Sequence, residues 1–124
     1  MEKPKVLYID DEPINLELFR MMFRSSLQVF IANTPEKAHE QLQENPEIQV
    51  LISDLNMPEM NGYQLIEQLH SQFKPIPAFI LSGHHPEDAI NQHPYKEKIA
   101  GYFQKPLDKN HILTEINKAL GNIR

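Results

Sequence analysis

Residues 51–62 read LISDLNMPEMNG, an apolar run that breaks at a carboxylate and continues as a proline-stiffened loop ending in glycine. Leu51 and Ile52 extend Val50, so Ile48 to Ser53 reads as a strand with no polar alternation. Runs of that kind belong to strands covered on both faces, as in the parallel sheet of an α/β domain. Asp54 arrives where the strand should end, followed by Asn56, Pro58 and Gly62. A carboxylate at the rim of an apolar core, followed by a rigid loop, is where α/β sheets place their chemistry.

The same pattern recurs on either side. Val6 to Ile9 is a continuous apolar run. From Ile14 to about Arg24, Ile14, Leu18, Phe19, Met22 and Phe23 fall at helical spacing, with Pro13 suited to the first helical turn. Val29 to Ile31 is a second strand, and Thr34 with Pro35 opens a polar helix that stops near Asn45-Pro46. Leu65, Ile66, Leu69 and Phe73 stripe a third helix, and Ile76 to Leu81 gives the fourth strand. Pro86 to Ile90 can start a further helix, which Pro94 should end or bend early. Gly101 to Phe103 is the fifth strand. In the last helix Asp108 caps, Leu107 and Ile112 staple, and Ile112, Leu113, Ile116 and Leu120 form the buried stripe. Strands alternating with helices imply an α/β fold of five units, with helix four short or irregular.

Composition sets the bounds. The chain has 124 residues, 40% apolar and 23% charged, which fits one globular domain over residues 1–124. A net charge of −5 gives no electrostatic case for direct binding to nucleic acid or to an anionic membrane. With no cysteine, disulfides and thiolate metal sites are excluded. No run approaches transmembrane length, and the N-terminus lacks a secretory pattern. The expected setting is cytoplasmic.

Four strand ends carry polar groups: Asp10-Asp11-Glu12, Asp54, Ser82 and Lys105. Ligands of open parallel sheets bind beyond the carboxyl ends of the strands, so these groups should meet on one rim. Two carboxylates about 5 Å apart repel by roughly 3 kcal/mol at an effective dielectric of 20, so a cation belongs among them. Lys105 supplies one charge. An all-oxygen site suits a hard divalent ion, Mg²⁺ where phosphate chemistry occurs, and the Asn56-Met57-Pro58 segment would fix a carbonyl beside it. Phosphoryl transfer needs little more, with Asp54 as nucleophile and Lys105 and Ser82 holding the phosphoryl oxygens.

The chain resembles a receiver domain of two-component response regulators over essentially its whole length. The carriers are YIDDEP at 8–13, DLNMPEMNG at 54–62, ILSG at 80–83 and YFQKP at 102–106, in that order at successive strand ends. The resemblance implies a flavodoxin-like, doubly wound five-stranded parallel sheet of order 2-1-3-4-5 with five helices. It implies Asp54 as the phosphorylated residue, Asp11 as a direct Mg²⁺ ligand, Asp10 as a ligand through water and the Asn56 main-chain carbonyl as another. Ser82 would be the switch hydroxyl, Tyr102 the rotating aromatic, and Lys105–Pro106 a cis bond. His84, two residues after Ser82, would neighbour the phosphoryl group and, with Asn56, tune its lifetime. A sensor histidine kinase or histidine phosphotransfer protein would be the donor, and an effector domain or protein the recipient. The domain would be a switch, assisting its own modification, with no turnover of an external substrate.

Other readings attach to the same residues. Tyr102 at a strand end is also an ordinary packing position, and His84, His85 and His93 read as a solvated loop. Met57 and Met60 read as packing residues of the rigid loop. A flavodoxin-like cofactor binder would want Gly, Ser and Thr after the first strand, where DDEPIN would repel a phosphate. A haloacid-dehalogenase-like phosphatase would carry its nucleophile directly after the first strand, with a second Asp two residues later. A pseudo-receiver used only for protein contacts would not need the full set of site residues.

Overall fold

The computed structural model describes residues 2–83 and 93–121. Five strands form one parallel sheet: β1 (Lys5–Ile9), β2 (Gln28–Ala32), β3 (Val50–Asp54), β4 (Ala78–Ser82) and β5 (Gly101–Gln104). Their spatial order is β2-β1-β3-β4-β5, as the resemblance implied. The register places Ile9 beside Ser53 and Asp54 beside Leu81, so the ends of β1, β3 and β4 are level. Four α-helices accompany the strands among the described residues: α1 (Pro13–Phe23), α2 (Pro35–Glu44), α3 (Gly62–Gln72) and α4 (Lys109–Ala119). The expected additional helix, opening at 86–90, lies outside those residues. Pro94 is the first residue of a 3₁₀ turn over Pro94–Lys98, where a missing N–H costs nothing.

Side-chain alternation divides the core into two layers. Leu7, Ile9, Leu51 and Ile80 face one way and meet Ala38 and Leu42 of α2 and Leu65, Ile66 and Leu69 of α3. Val6, Tyr8, Val50, Ile52, Phe79 and Leu81 face the other way and meet Phe19 and Phe23 of α1 and Ile112 and Ile116 of α4. Met57 and Met60 pack against the first layer, as expected. Thr34 accepts from the Lys37 N–H and Asp108 from the His111 N–H, the caps expected of α2 and α4.

One stripe differs from its expectation. In α1 the buried residues are Leu16, Phe19 and Phe23, while Ile14 and Leu18 are 72% and 53% exposed. The helix carries apolar residues around most of its circumference, so periodicity alone could not select the face. Tyr8 decides it, stacking on Phe19 with ring centroids 4.2 Å apart and planes 12° from parallel.

Gly62 fixes where α3 starts. A Cβ there would stand 2.7 Å from the Asp54 carbonyl oxygen and 2.8 Å from the Ile80 side chain, so only glycine lets α3 seat against the end of β3. Asn61 and Gln64 close a reciprocal capping box just before it. Gly62→Ala is therefore expected to destabilise the fold by about 1–3 kcal/mol, the usual cost of overpacking. Ile14→Ser should change stability by about 0.5 kcal/mol or less. Urea unfolding of the two variants checks both, and similar losses would contradict the packing described.

Candidate functional site

β1 and β3 are neighbours, so their carboxyl ends bring the acidic residues together. Asp10, Asp11 and Asp54 each present an oxygen, and the three atoms lie within 4.8 Å of one another. Asp10 is fully buried and Asp54 nearly so, at 6% exposure, whereas Asp11 is half-buried at the mouth. Lys105, carried just past β5, reaches across with its Nζ 3.0 Å from Asp54 Oδ1. The Lys105 N–H also donates to the Ser82 carbonyl at 2.8 Å, which seats the lysine at the end of β4. The Lys105–Pro106 bond is cis, as expected.

Each acidic group has a defined support. Asp10 Oδ2 accepts from the Tyr8 hydroxyl at 2.8 Å, and its Oδ1 accepts from the Glu12 N–H at 2.9 Å. The backbone beneath Asp54 is tied on two sides, its own carbonyl accepting from Ser53 Oγ at 3.0 Å and the next N–H, of Leu55, reaching the Leu81 carbonyl at 3.0 Å. Burial pushes the Asp54 carboxyl up from its ordinary range. The Lys105 hydrogen bond and charge pull it down, and the negative charges of Asp10 and Asp11 push it up again, with a net upward shift. The oxygens form a hard donor set with more negative charge than one lysine offsets, which fits a Mg²⁺-type divalent cation.

The remaining expected residues sit at the same end of the sheet or just beyond it. Ser82 is the last residue of β4 and 2% exposed. Asn56 is exposed in the loop two residues past Asp54. Tyr102 of β5 is half-buried and shares a hydroxyl–hydroxyl hydrogen bond with Tyr63 of α3. Tyr63 is fully buried and stacks on the His93 ring with centroids 5.0 Å apart. His93 is thus no solvated loop residue; its Nδ1 accepts from the Tyr95 N–H at 3.0 Å and caps the 3₁₀ turn. His84 lies outside the described residues.

The family profile of the response regulator receiver domain matches residues 6–117. The chain belongs to that family. Among its relatives, the two-component response regulator ORR5 of Oryza sativa subsp. japonica is 30% identical over 112 residues, covering 88% of this chain and 83% of that one. The DNA-binding transcriptional regulator NtrC of Proteus hauseri is 30% identical over 130 residues, which span all of this chain and 26% of that protein. A response regulator receiver domain protein from Clostridium thermocellum shares the fold with a TM-score of 0.82 at 26% identity, covering 95% and 94% of the two chains. In this receiver, sequence reading missed Tyr8 and Tyr63. Tyr8 had a signal: strand alternation puts it on the same side as Asp10, two residues on. Tyr63 had none, because its partners come from distant segments.

The electrostatics give a pH test. Asp54 holds its proton more tightly in the folded than in the unfolded chain, so its ionised form costs stability above the ordinary carboxylate range, and protonation removes that cost. In EDTA at neutral pH, Asp54→Asn should melt higher than wild type. The gap should narrow as pH falls through the raised carboxyl pKa toward the ordinary one. A lower melting temperature for the variant at neutral pH would mean that the Lys105 pairing outweighs burial and crowding.

Proposed function

We propose that residues 1–124 form a Mg²⁺-dependent phospho-acceptor domain of a two-component phosphorelay, with Asp54 as the acceptor. The supporting observation is the convergence of three carboxylate oxygens within 4.8 Å with an ammonium 3.0 Å from Asp54. Asp11 and Asp54 would hold the metal directly, Asp10 through water, and the Asn56 carbonyl would complete the set. When bound, the ion supplies positive charge against the phosphoryl oxygens and relieves the crowding of the carboxylates.

The chain's own groups do the rest. An Asp54 oxygen attacks phosphorus in line; the new O–P bond forms as the P–N bond of a phosphohistidine breaks, and the imidazole leaves with the electron pair. Lys105 stays on the phosphoryl group as negative charge builds there. Ser82, on the neighbouring strand end, then takes a phosphoryl oxygen, and Tyr102 turns into the space this opens. The change shifts an existing equilibrium between two forms. Asn56 and His84 would set how readily water reaches the acyl phosphate. The protein is a cytoplasmic switch and turns over no external substrate; its output passes to an effector domain or protein.

The donor is a sensor histidine kinase or a histidine phosphotransfer protein. The exposed apolar face of α1 favours a protein partner: Ile14, Leu18 and Met21 are more than half exposed. Leu18 and Met22 line a groove shared with Pro106, Leu107 and Lys105, the residue paired with Asp54. A helix carrying phosphohistidine would cover this patch while delivering its phosphoryl group.

Three measurements test the reading. Incubation with Mg²⁺ and acetyl phosphate should give hydroxylamine-sensitive phosphate incorporation that Asp54→Asn abolishes; persistent labelling would move the acceptor elsewhere. Millimolar Mg²⁺ should raise the melting temperature of wild type by binding the folded state alone, and do so far less in Asp11→Ala. Leu18→Glu with Met21→Glu should slow transfer from a protein donor by about tenfold or more, as loss of a central apolar contact does, while leaving labelling by acetyl phosphate unchanged.

A further inference from the structure

We propose that Tyr8 is a positioning residue of the metal site, whose hydroxyl holds Asp10 in place and competes for its Oδ2 with the water through which Asp10 would reach the cation. The inference rests on the Mg²⁺ reading above and concerns how tightly this chain holds the ion. Tyr8 is 1% exposed and lies in β1 with its ring against Phe19 of α1. Ring and strand together fix the direction of the hydroxyl, which meets Asp10 Oδ2 at 2.8 Å. A phenol donating to a carboxylate makes a charge-assisted bond, among the stronger hydrogen bonds in proteins. Burial and the charges of Asp10 and Asp54 both push the Tyr8 hydroxyl well above its ordinary pKa, so it remains a donor.

Two consequences follow for the cation. The Glu12 N–H already occupies one lone pair of Asp10 Oδ1, so with Tyr8 both oxygens of Asp10 are engaged by donors. Both oxygens of Asp10 are thus held by neutral donors, which leave its charge in place, while Lys105 is the cation paired with Asp54. Tyr8 also makes the buried Asp10 tolerable in the metal-free protein, since a buried carboxylate oxygen without a donor is costly. The hydroxyl therefore stabilises the empty site and weakens the loaded one, which keeps metal binding reversible.

Tyr8→Phe isolates the hydroxyl, because the ring and its stacking on Phe19 are kept. Mg²⁺ titration by calorimetry, paired with melting curves in EDTA and in Mg²⁺, reads the effect without any phosphorylation assay. The variant should melt lower than wild type in EDTA, recover most of the difference in saturating Mg²⁺, and bind Mg²⁺ about three- to tenfold more tightly, a part of one charge-assisted hydrogen bond. Phe19→Leu, which removes the stacking partner and leaves the hydroxyl, should lower the melting temperature equally in EDTA and Mg²⁺ with the affinity unchanged. Unchanged or weaker Mg²⁺ binding by Tyr8→Phe, or an equal affinity change in Phe19→Leu, would overturn the role given to Tyr8. Absence of Mg²⁺ binding by wild type would instead overturn the metal reading beneath it.

Discussion

Three carboxylates share the end of one sheet, two of them largely withdrawn from water, and much of the surrounding structure answers that repulsion. Each charge has a named counterweight: the Tyr8 hydroxyl and Glu12 N–H for Asp10, the Lys105 ammonium for Asp54, and solvent for half-buried Asp11. These supports reduce the repulsion without removing it: burial first, and then the charges of Asp10 and Asp11, hold the Asp54 carboxyl above its ordinary range despite Lys105. Under the proposed function, that surplus negative charge is what a bound cation would offset, so that a phosphoryl group could be accepted there.

Holding such a rim requires a backbone that cannot relax. The parallel register levels the ends of β1, β3 and β4, and cross-strand hydrogen bonds pin the residues beside Asp54 and Lys105. Gly62 lets α3 press directly against the Asp54 carbonyl, closing off the direction in which the strand end could move. On the far side, Tyr102 is tied to Tyr63, and Tyr63 is stacked on His93. Tyr102, the expected rotating aromatic, is thus held by a contact to α3 that a rotation would have to break.

The sequence was most informative where one element suffices. Continuous apolar runs identified the strands, capping residues identified α2 and α4, and the polar strand ends pointed to the rim where Asp10, Asp11, Asp54 and Lys105 gather. The strand order came through family resemblance and agrees with the sheet. The buried face of α1 was not legible, because Ile14, Leu18, Met21 and Met22 compete with Leu16, Phe19 and Phe23, and only the aromatic partner in β1 settles the choice. The structural places of His93 and Pro94 were not legible for a related reason. Their roles as cap and first residue of a 3₁₀ turn depend on Tyr63 and Tyr95, which no local pattern links to them. The Tyr63–Tyr102 pair, 39 positions apart in sequence, could be found only in three dimensions.

The central claim is that a divalent cation belongs among these carboxylates. Mn²⁺ shares the oxygen preference and octahedral habit of Mg²⁺ and scatters anomalously. Crystals grown with Mn²⁺ should show one strong anomalous peak within bonding distance of Asp11 and Asp54 oxygens. A peak elsewhere, or none at millimolar Mn²⁺ with these carboxylates unmoved, would contradict the account.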